Sequence, residues 1–208
     1  MIYTKDSIEL LNAIIGLGSG RHLIAVTGSP GAGKSTLVER VLRELNAGGE
    51  ELAVVVPMDG YHFDNAILKQ NGWEDRKGAP YTFDVMALTR DLERILANDT
   101  VFVPVFDRVL DCSRGFAREV RPGHQYVLVE GNYLCCQDDP WLAIGVSFSL
   151  HIHIEVDRAT LRQRLIQRWL DHNLNQPAAV ARTDNNDMRN VDWVSKHNRK
   201  PDILYCPS

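Results

Sequence analysis

Three features of the chain carry chemistry on their own. Residues 28–36 read GSPGAGKST, so Gly28 and Gly33 bracket four residues and are followed by Lys34 and Ser35. This is the full G-x-x-x-x-G-K-[ST] spacing. Glycines there let backbone N–H groups turn inward around a phosphate, and the following helix adds the positive end of its dipole. Lys34 is placed to reach the outer phosphates, and the Ser35 hydroxyl to meet Mg²⁺. Gly28, Ser29, Pro30, Gly31, Ala32, Gly33, Lys34, Ser35 and Thr36 are therefore the expected contacts of ATP with its Mg²⁺. The second feature is Asp59, a bare carboxylate at the tip of the apolar run in AVVVPMDGYHFDN (53–65), followed by Gly60 and three rings. The third is Glu130, which closes YVLVEG (126–131). Two acids beside a chain of phosphates repel it unless a metal or a proton-transfer task retains them. Ser35, Asp59 and Glu130 are accordingly the expected metal-side residues, with a hydroxyl nucleophile near Asp59.

Positioning these groups together requires a particular scaffold. HLIAVTG (22–28), LAVVVPMD (52–59), YVLVEG (126–131) and LHIHIEV (150–156) are nearly continuous apolar runs. Such runs suit parallel strands covered on both faces. DILYC (202–206) supplies a fifth. Helical patterns occupy 34–47, 84–97 and 158–170, with Asp84 and Asp157 at their N-cap positions. Strand–helix alternation with right-handed crossovers predicts an α/β three-layer fold around a mostly parallel five-stranded sheet. In such sheets ligands gather at the carboxyl ends of the strands, which brings Gly28, Asp59 and Glu130 to one cleft.

The bulk composition narrows the classes further. The chain has 208 residues, suiting one domain with an inserted lid, and a formal net charge of −4. No global basic field points to nucleic acid or an anionic membrane. No run approaches the ~20 apolar residues of a membrane span. Acidic residues near the start argue against a signal peptide, and the spacing of Ile8, Leu11, Ile14 and Ile15 predicts a short amphipathic helix there. Cys112, Cys135, Cys136 and Cys206 form no C-x-x-C pair, which suits reduced thiols in the cytoplasm. A homodimer is left open.

Among phosphate-loop proteins, a GTP switch needs an N-K-x-D base-reading motif, and NRKPD (198–202) has one residue too many. A motor-type ATPase ends its metal strand in Asp or Asp-Glu, where this chain has Glu130–Gly131. A small-molecule kinase needs an acceptor pocket, a carboxylate at the acceptor hydroxyl and a cationic lid. The pocket is expected from MDGYHFDN, RKGAPYTFD (76–84) and PVFDR (104–108). Its candidate residues are Asp59, Tyr61, His62, Arg76, Lys77, Tyr81, Phe83, Asp84, Asp107 and Arg108, with Phe106 as a further ring. Plainer readings exist: Asp59 capping a turn, Asp84 capping a helix, the rings filling the core. RATLRQRLIQRWLDHNL (158–174) is the lid candidate, with lid boundaries of about 158–185. Its arginines suit paired phosphate oxygens.

In the order GSPGAGKST, MDGYHF, RKGAPYTFD, PVFDR, VLVEGNYL and VDRATLRQRLIQR, the chain resembles the phosphoribulokinase, uridine kinase and bacterial pantothenate kinase group of P-loop kinases. It most resembles the branch labelled fructose transport system kinases, from about residue 20 to the C-terminus. The resemblance implies that Asp59 is the catalytic base and a Mg²⁺ neighbour, Glu130 the metal-strand acid, and Lys34, Arg164 and Arg168 the cations at the transferring phosphate. It departs from the uridine kinase pattern after Arg168, where WLDHNLNQPAAVAR stands. That leaves Arg182 and the polar run DNNDMRN (184–190) without a role. Asp59, Asp64, Asn65, Asp84 and Asp107 make the acceptor segments acid-rich. The expected partner is therefore a neutral polyhydroxy small molecule, a sugar before a nucleoside.

Overall fold

The computed structural model describes residues 1–145 and 148–207. In chain order the strands are β1 (Ile2–Thr4), β2 (His22–Gly28), β3 (Ala53–Pro57), β4 (Val101–Asp107), β5 (Cys112–Val120), β6 (Tyr126–Gly131), β7 (Leu150–Ile154) and β8 (Ile203–Tyr205). The helices are α1 (Ser7–Ile15), α2 (Lys34–Leu45), α3 (Asn65–Gln70), α4 (Val85–Leu96), α5 (Leu142–Gly145), α6 (Arg158–Asp171), α7 (Gln176–Arg182) and α8 (Met188–His197). A 3₁₀ turn spans Met58–Tyr61, and a π turn, Thr183–Asp187, joins α7 to α8.

Six strands form one parallel sheet in the order β1-β8-β7-β2-β6-β3. The side-chain alternation of a strand sends neighbours to opposite faces. Leu23, Ala25, Val127 and Val129 enter one core cluster with α4 residues Leu88, Leu92 and Ile95. Ile24, Val26, Leu128 and Ile152 enter the other with Leu10, Leu37, Val41 and Leu165. The sheet is thus covered on both faces, and the expected α/β three-layer architecture is observed. Asp84 and Asp157 cap α4 and α6, accepting from the backbone N–H groups of Ala87 and Thr160.

Three features differ from expectation. The sheet has six strands rather than five, because Ile2–Thr4 pairs with β8 at the edge. The amphipathic helix is there, but Leu10 and Ile14 are its buried apolar residues, whereas Ile8 and Ile15 are exposed. A separate antiparallel ribbon, β4 with β5, also extends beyond β3. Its register shifts between Val103 and Val105, where Pro104 has no amide hydrogen to contribute. Gly60 lies beneath that shift: a Cβ there would stand 2.6 Å from the Pro104 carbonyl carbon. Gly60 is therefore needed for the approach of the ribbon to the 3₁₀ turn.

The four cysteines are free thiols. Among the described residues no helix is long and apolar enough to cross a membrane.

Candidate active site

The loop 28–33 leaves β2 and wraps onto the first turn of α2. Gly33 takes φ +95°, a left-handed conformation that side-chain-bearing residues rarely adopt, and so starts the helix with its N–H groups turned toward the loop. Lys34 folds back over the loop. Its Nζ donates to the carbonyls of Gly28 and Ser29, both at 3.1 Å. Burial holds its pKa down to about 8, while Asp59 and Glu130 favour the charged form and Arg168 and Arg108 oppose it. These five groups thus sense one another across the strand ends.

Asp59 lies two residues beyond β3, in the 3₁₀ turn, rather than at the end of the strand. Its carboxylate pairs with Arg108 Nη2 at 3.3 Å. Glu130 sits beside the ends of β2 and β3, opposite Val26 and Pro57. Burial raises its pKa and nearby Asp59 adds to the rise, whereas the Ser35 hydroxyl, Lys34 and Arg108 lower it. Its Oε2 is buried with no hydrogen-bond partner. An orphaned carboxylate oxygen beside a serine hydroxyl, with a second carboxylate nearby, is the hard-oxygen donor set that suits Mg²⁺. No cluster of three or more His, Cys, Asp or Glu side chains able to hold a metal occurs among the described residues. That is compatible with Mg²⁺, which takes one or two carboxylates and completes its shell with phosphate and water.

Two cavities meet here. The smaller, about 210 Å³, is lined by loop residues from Pro30 to Thr36 together with Asp59, Arg108, Glu130, Asn132 and Arg168. The larger, about 480 Å³, shares Pro30, Asp59, Arg108, Asn132 and Arg168 with it. It then extends to His62, Lys77, Phe83, Phe106, Asp111, Trp169, Arg182 and Asp187. His62 packs on Phe83 at 3.9 Å and Phe106 at 5.1 Å between ring centroids, and its Nδ1–H donates to the Asp59 carbonyl at 2.9 Å. Burial lowers the His62 pKa, leaving Nε2 as a free acceptor. Lys77 is anchored by Asn65 Oδ1 at 2.6 Å and Asp111 Oδ2 at 2.9 Å.

Other expected pocket residues lie elsewhere. Tyr61 is in the core, donating to Asp91 Oδ2 at 2.8 Å. Arg76 is consumed by the α7–α8 junction, donating to Asn186 Oδ1 at 2.5 Å and Asn190 Oδ1 at 3.0 Å. Tyr81 is exposed and packs edge-on against Trp73. Asp84 caps α4, and Asp107 accepts from the N–H groups of Val109 and Leu110 and pairs with Arg114. Except at Tyr81, which faces solvent, a cap or another side chain takes the polar atoms that a ligand would need. Asp64 likewise caps α3, so of the acidic residues expected to grip the acceptor only Asp59 faces the cavity.

Arg164 and Arg168 do not share a cavity. Arg168 lines the junction, with its Nε buried and unpartnered. Arg164 donates to the Gly31 carbonyl at 3.3 Å and lines a third cavity of about 400 Å³ with Thr36, Arg40 and Tyr205. Nothing in the sequence singles out Asp111 or Asn132 as a pocket residue, whereas Trp169 lies in the lid candidate and Asp187 in the polar run 184–190, which, like Arg182, carries no role at the level of sequence.

The family model described as "Methylmalonyl Co-A mutase-associated GTPase MeaB" matches residues 2–62, the segment that holds the phosphate loop and Asp59. A "Putative uridine kinase" of Schizosaccharomyces pombe is 30% identical over 194 residues, covering 88% of this chain and 82% of that one. A "Pantothenate kinase" of Parvibaculum lavamentivorans is 30% identical over 72% of this chain, which spans 48% of its length. Among solved structures, a "putative fructose transport system kinase" from Silicibacter sp. TM1040 superposes with a TM-score of 0.91 at 37% identity, covering 97% of this chain and 100% of the other. Relatives of this identity and coverage show that the chain belongs to the phosphoribulokinase, uridine kinase and pantothenate kinase family of P-loop kinases.

Proposed function

We propose that the chain transfers the γ-phosphoryl group of ATP to a hydroxyl of a neutral polyhydroxy metabolite, a sugar before a nucleoside. The observation that carries this reading is the junction of the two cavities at Asp59, Arg108, Asn132 and Arg168. A triphosphate held by the loop would end where an acceptor in the larger cavity begins. Setting aside the charged residues shared with the smaller cavity, the larger one keeps two cations, Lys77 and Arg182, and two acids, Asp111 and Asp187. This balance favours an uncharged acceptor, and Asn132 with the His62, Phe83, Phe106 and Trp169 rings suits hydroxyls and an apolar ring face.

Catalysis in this reading is positioning and charge neutralisation. Lys34 exchanges its loop carbonyls for outer phosphate oxygens. Asp59 orients the acceptor hydroxyl and takes its proton as the oxygen attacks phosphorus in line with the departing ADP oxygen. Arg168 and Arg108 meet the charge on the transferring group. Ser35, Glu130 and Asp59 would hold Mg²⁺, which when bound neutralises phosphate charge. Residues 158–185 would act as the lid, with α6 carrying Arg168 over the junction.

The test is ADP release from Mg²⁺-ATP across a panel of sugars, nucleosides, pantothenate and sugar phosphates. The reading expects release with a hexose or a nucleoside. Release confined to anionic acceptors would overturn the neutral acceptor, and acceptor-independent hydrolysis alone would overturn the kinase.

A further inference from the structure

The polar run after α7 is built into the acceptor cavity by an unusual backbone device. Thr183–Asp187 forms a π turn between two α-helices. Such insertions are rare and occur mostly at functional sites, because they re-aim side chains without ending the helix. Here the turn is fastened from behind. Arg76 holds Asn186 and Asn190, Asn186 Nδ2 donates to the Lys77 carbonyl at 3.0 Å, and Asn190 Nδ2 donates to the Gly78 carbonyl at 3.3 Å. With the asparagines satisfied, Asp187 is the acid of the turn that lines the cavity, and it is only 6% exposed.

Its Oδ2 accepts from Trp169 Nε1–H at 2.6 Å, which fixes the carboxylate plane. Among the described residues no other hydrogen bond to the carboxylate is made. Burial raises the Asp187 pKa, while Trp169, Arg168 and Arg182 lower it. The Arg182 guanidinium lies 5.4 Å from the Trp169 ring centroid on the same cavity wall. A hydroxyl both donates and accepts, so a fixed carboxylate oxygen beside a guanidinium satisfies it fully. A carboxylate this buried has room for further donors beyond the single Trp169 N–H, and a ligand hydroxyl would supply one.

We propose that Asp187, with Arg182, is the acceptor-selecting pair: it binds an acceptor hydroxyl other than the one phosphorylated, and so restricts the enzyme to polyols. This rests on the reading of the larger cavity as the acceptor site. Asp59 would meet the reacting hydroxyl and Asp187 a second one across the cavity, so a monohydroxy alcohol would lack one of its two anchors.

The experiment compares wild type, Asp187→Asn and Arg182→Met in two ways. One is equilibrium binding of D-fructose and of uridine in the presence of a non-hydrolysable ATP analogue. The other is steady-state ADP release. Asn keeps the shape and an oxygen for Trp169 but loses the charge, and a hydrogen bond to a charged group accounts for roughly 10- to 100-fold in affinity. Asp187→Asn should therefore weaken probe binding and raise the acceptor KM on that scale, with KM for ATP unchanged and kcat nearly so. Should Asp187→Asn fail to fold, Arg182→Met carries the test with the same expected KM split. Turnover with unchanged acceptor KM in the folded variants would overturn the pair and leave the kinase reading standing. Probe binding that depends on Asp187 without any turnover would support the pair and overturn the kinase reading. Binding of neither probe to wild type overturns the proposal.

Discussion

Replacing Asp59 by Asn separates the catalytic reading of this residue from a structural one, and the structure sets both magnitudes. Asp59 is 38% exposed, and its ionic partner Arg108, at 3.3 Å, is 58% exposed. A pair this wet contributes at most about 1 kcal/mol. In a chain of this size that shifts the melting temperature by roughly 2–4 °C. The Asp59 carbonyl, which accepts from His62, is retained in the variant. Loss of a positioned base instead costs about 10²–10⁴-fold in rate, or roughly 3–5 kcal/mol of barrier. The two effects are far enough apart to be read in one preparation. A further consequence concerns Lys34, whose charged form Asp59 supports through space. Asp59→Asn should lower the Lys34 pKa further, so nucleotide binding stays near normal at pH 7 and weakens at pH 8. Coupled ADP release, thermal melting and titration with a fluorescent ATP analogue at both pH values would measure these quantities. A near-normal rate, or a melting shift of 10 °C or more, would refute the assignment of Asp59 as base.

Three further outcomes follow from the geometry. Because Lys34 titrates near 8 in the free protein, kcat/KM for ATP should fall as pH rises through that value, and Lys34→Arg should remove the fall; a flat wild-type profile to pH 9.5 would contradict it. Arg168→Ala should lower turnover on the order of 10²–10³-fold, whereas Arg164→Ala should act mainly on KM for ATP; equal effects on kcat would show that both arginines serve the transferring group. His151 and His153, joined through the Thr27 hydroxyl at 2.7 and 2.9 Å, are held down to about 3 and about 4, mainly by burial. The unfolded chain therefore binds their protons more tightly, and stability, full above about pH 6.5, is lost as pH falls toward those values, by roughly 2 kcal/mol per histidine at pH 5. Urea midpoints at pH 7 and 5 would show it, and His153→Gln should shrink the difference.

Legibility from sequence tracks the range of the interaction. The five expected strands were readable because a strand buried on both faces is apolar at nearly every position. The caps at Asp84 and Asp157 were readable because a cap is settled within four residues. The edge strand Ile2–Thr4 was not, since three residues with two exposed side chains carry no period. Nor was the β4–β5 ribbon, because β5 is largely exposed and Pro104 breaks the strand pattern of β4. The same contrast runs through the site. Lys34 follows from a motif eight residues long, but the fate of Arg76 depends on Asn186 and Asn190, more than 100 positions away. Asp59, Asp84 and Asp107 are chemically identical in the sequence, and only the backbone around each shows whether its oxygens accept from amides or face the cavity.

The two arginines of α6 show how spacing gives a direction without a destination. A separation of four residues places side chains on one side of a helix, but it also advances about 6 Å along the axis. Because α6 passes the phosphate loop, that advance carries the helix from the Gly31 carbonyl, which Arg164 meets, to the junction where Arg168 stands. Trp169 then continues into the larger cavity and holds Asp187. In the proposed function one helix would therefore touch the nucleotide side, the transfer point and the acceptor wall in succession. Its buried apolar anchors are Leu161 and Leu165, and the pairs Arg158–Asp192 and Arg162–Asp184 fasten it to α8 and to the π turn, so the helix that presents Arg168 and Trp169 is held from both its apolar and its charged sides.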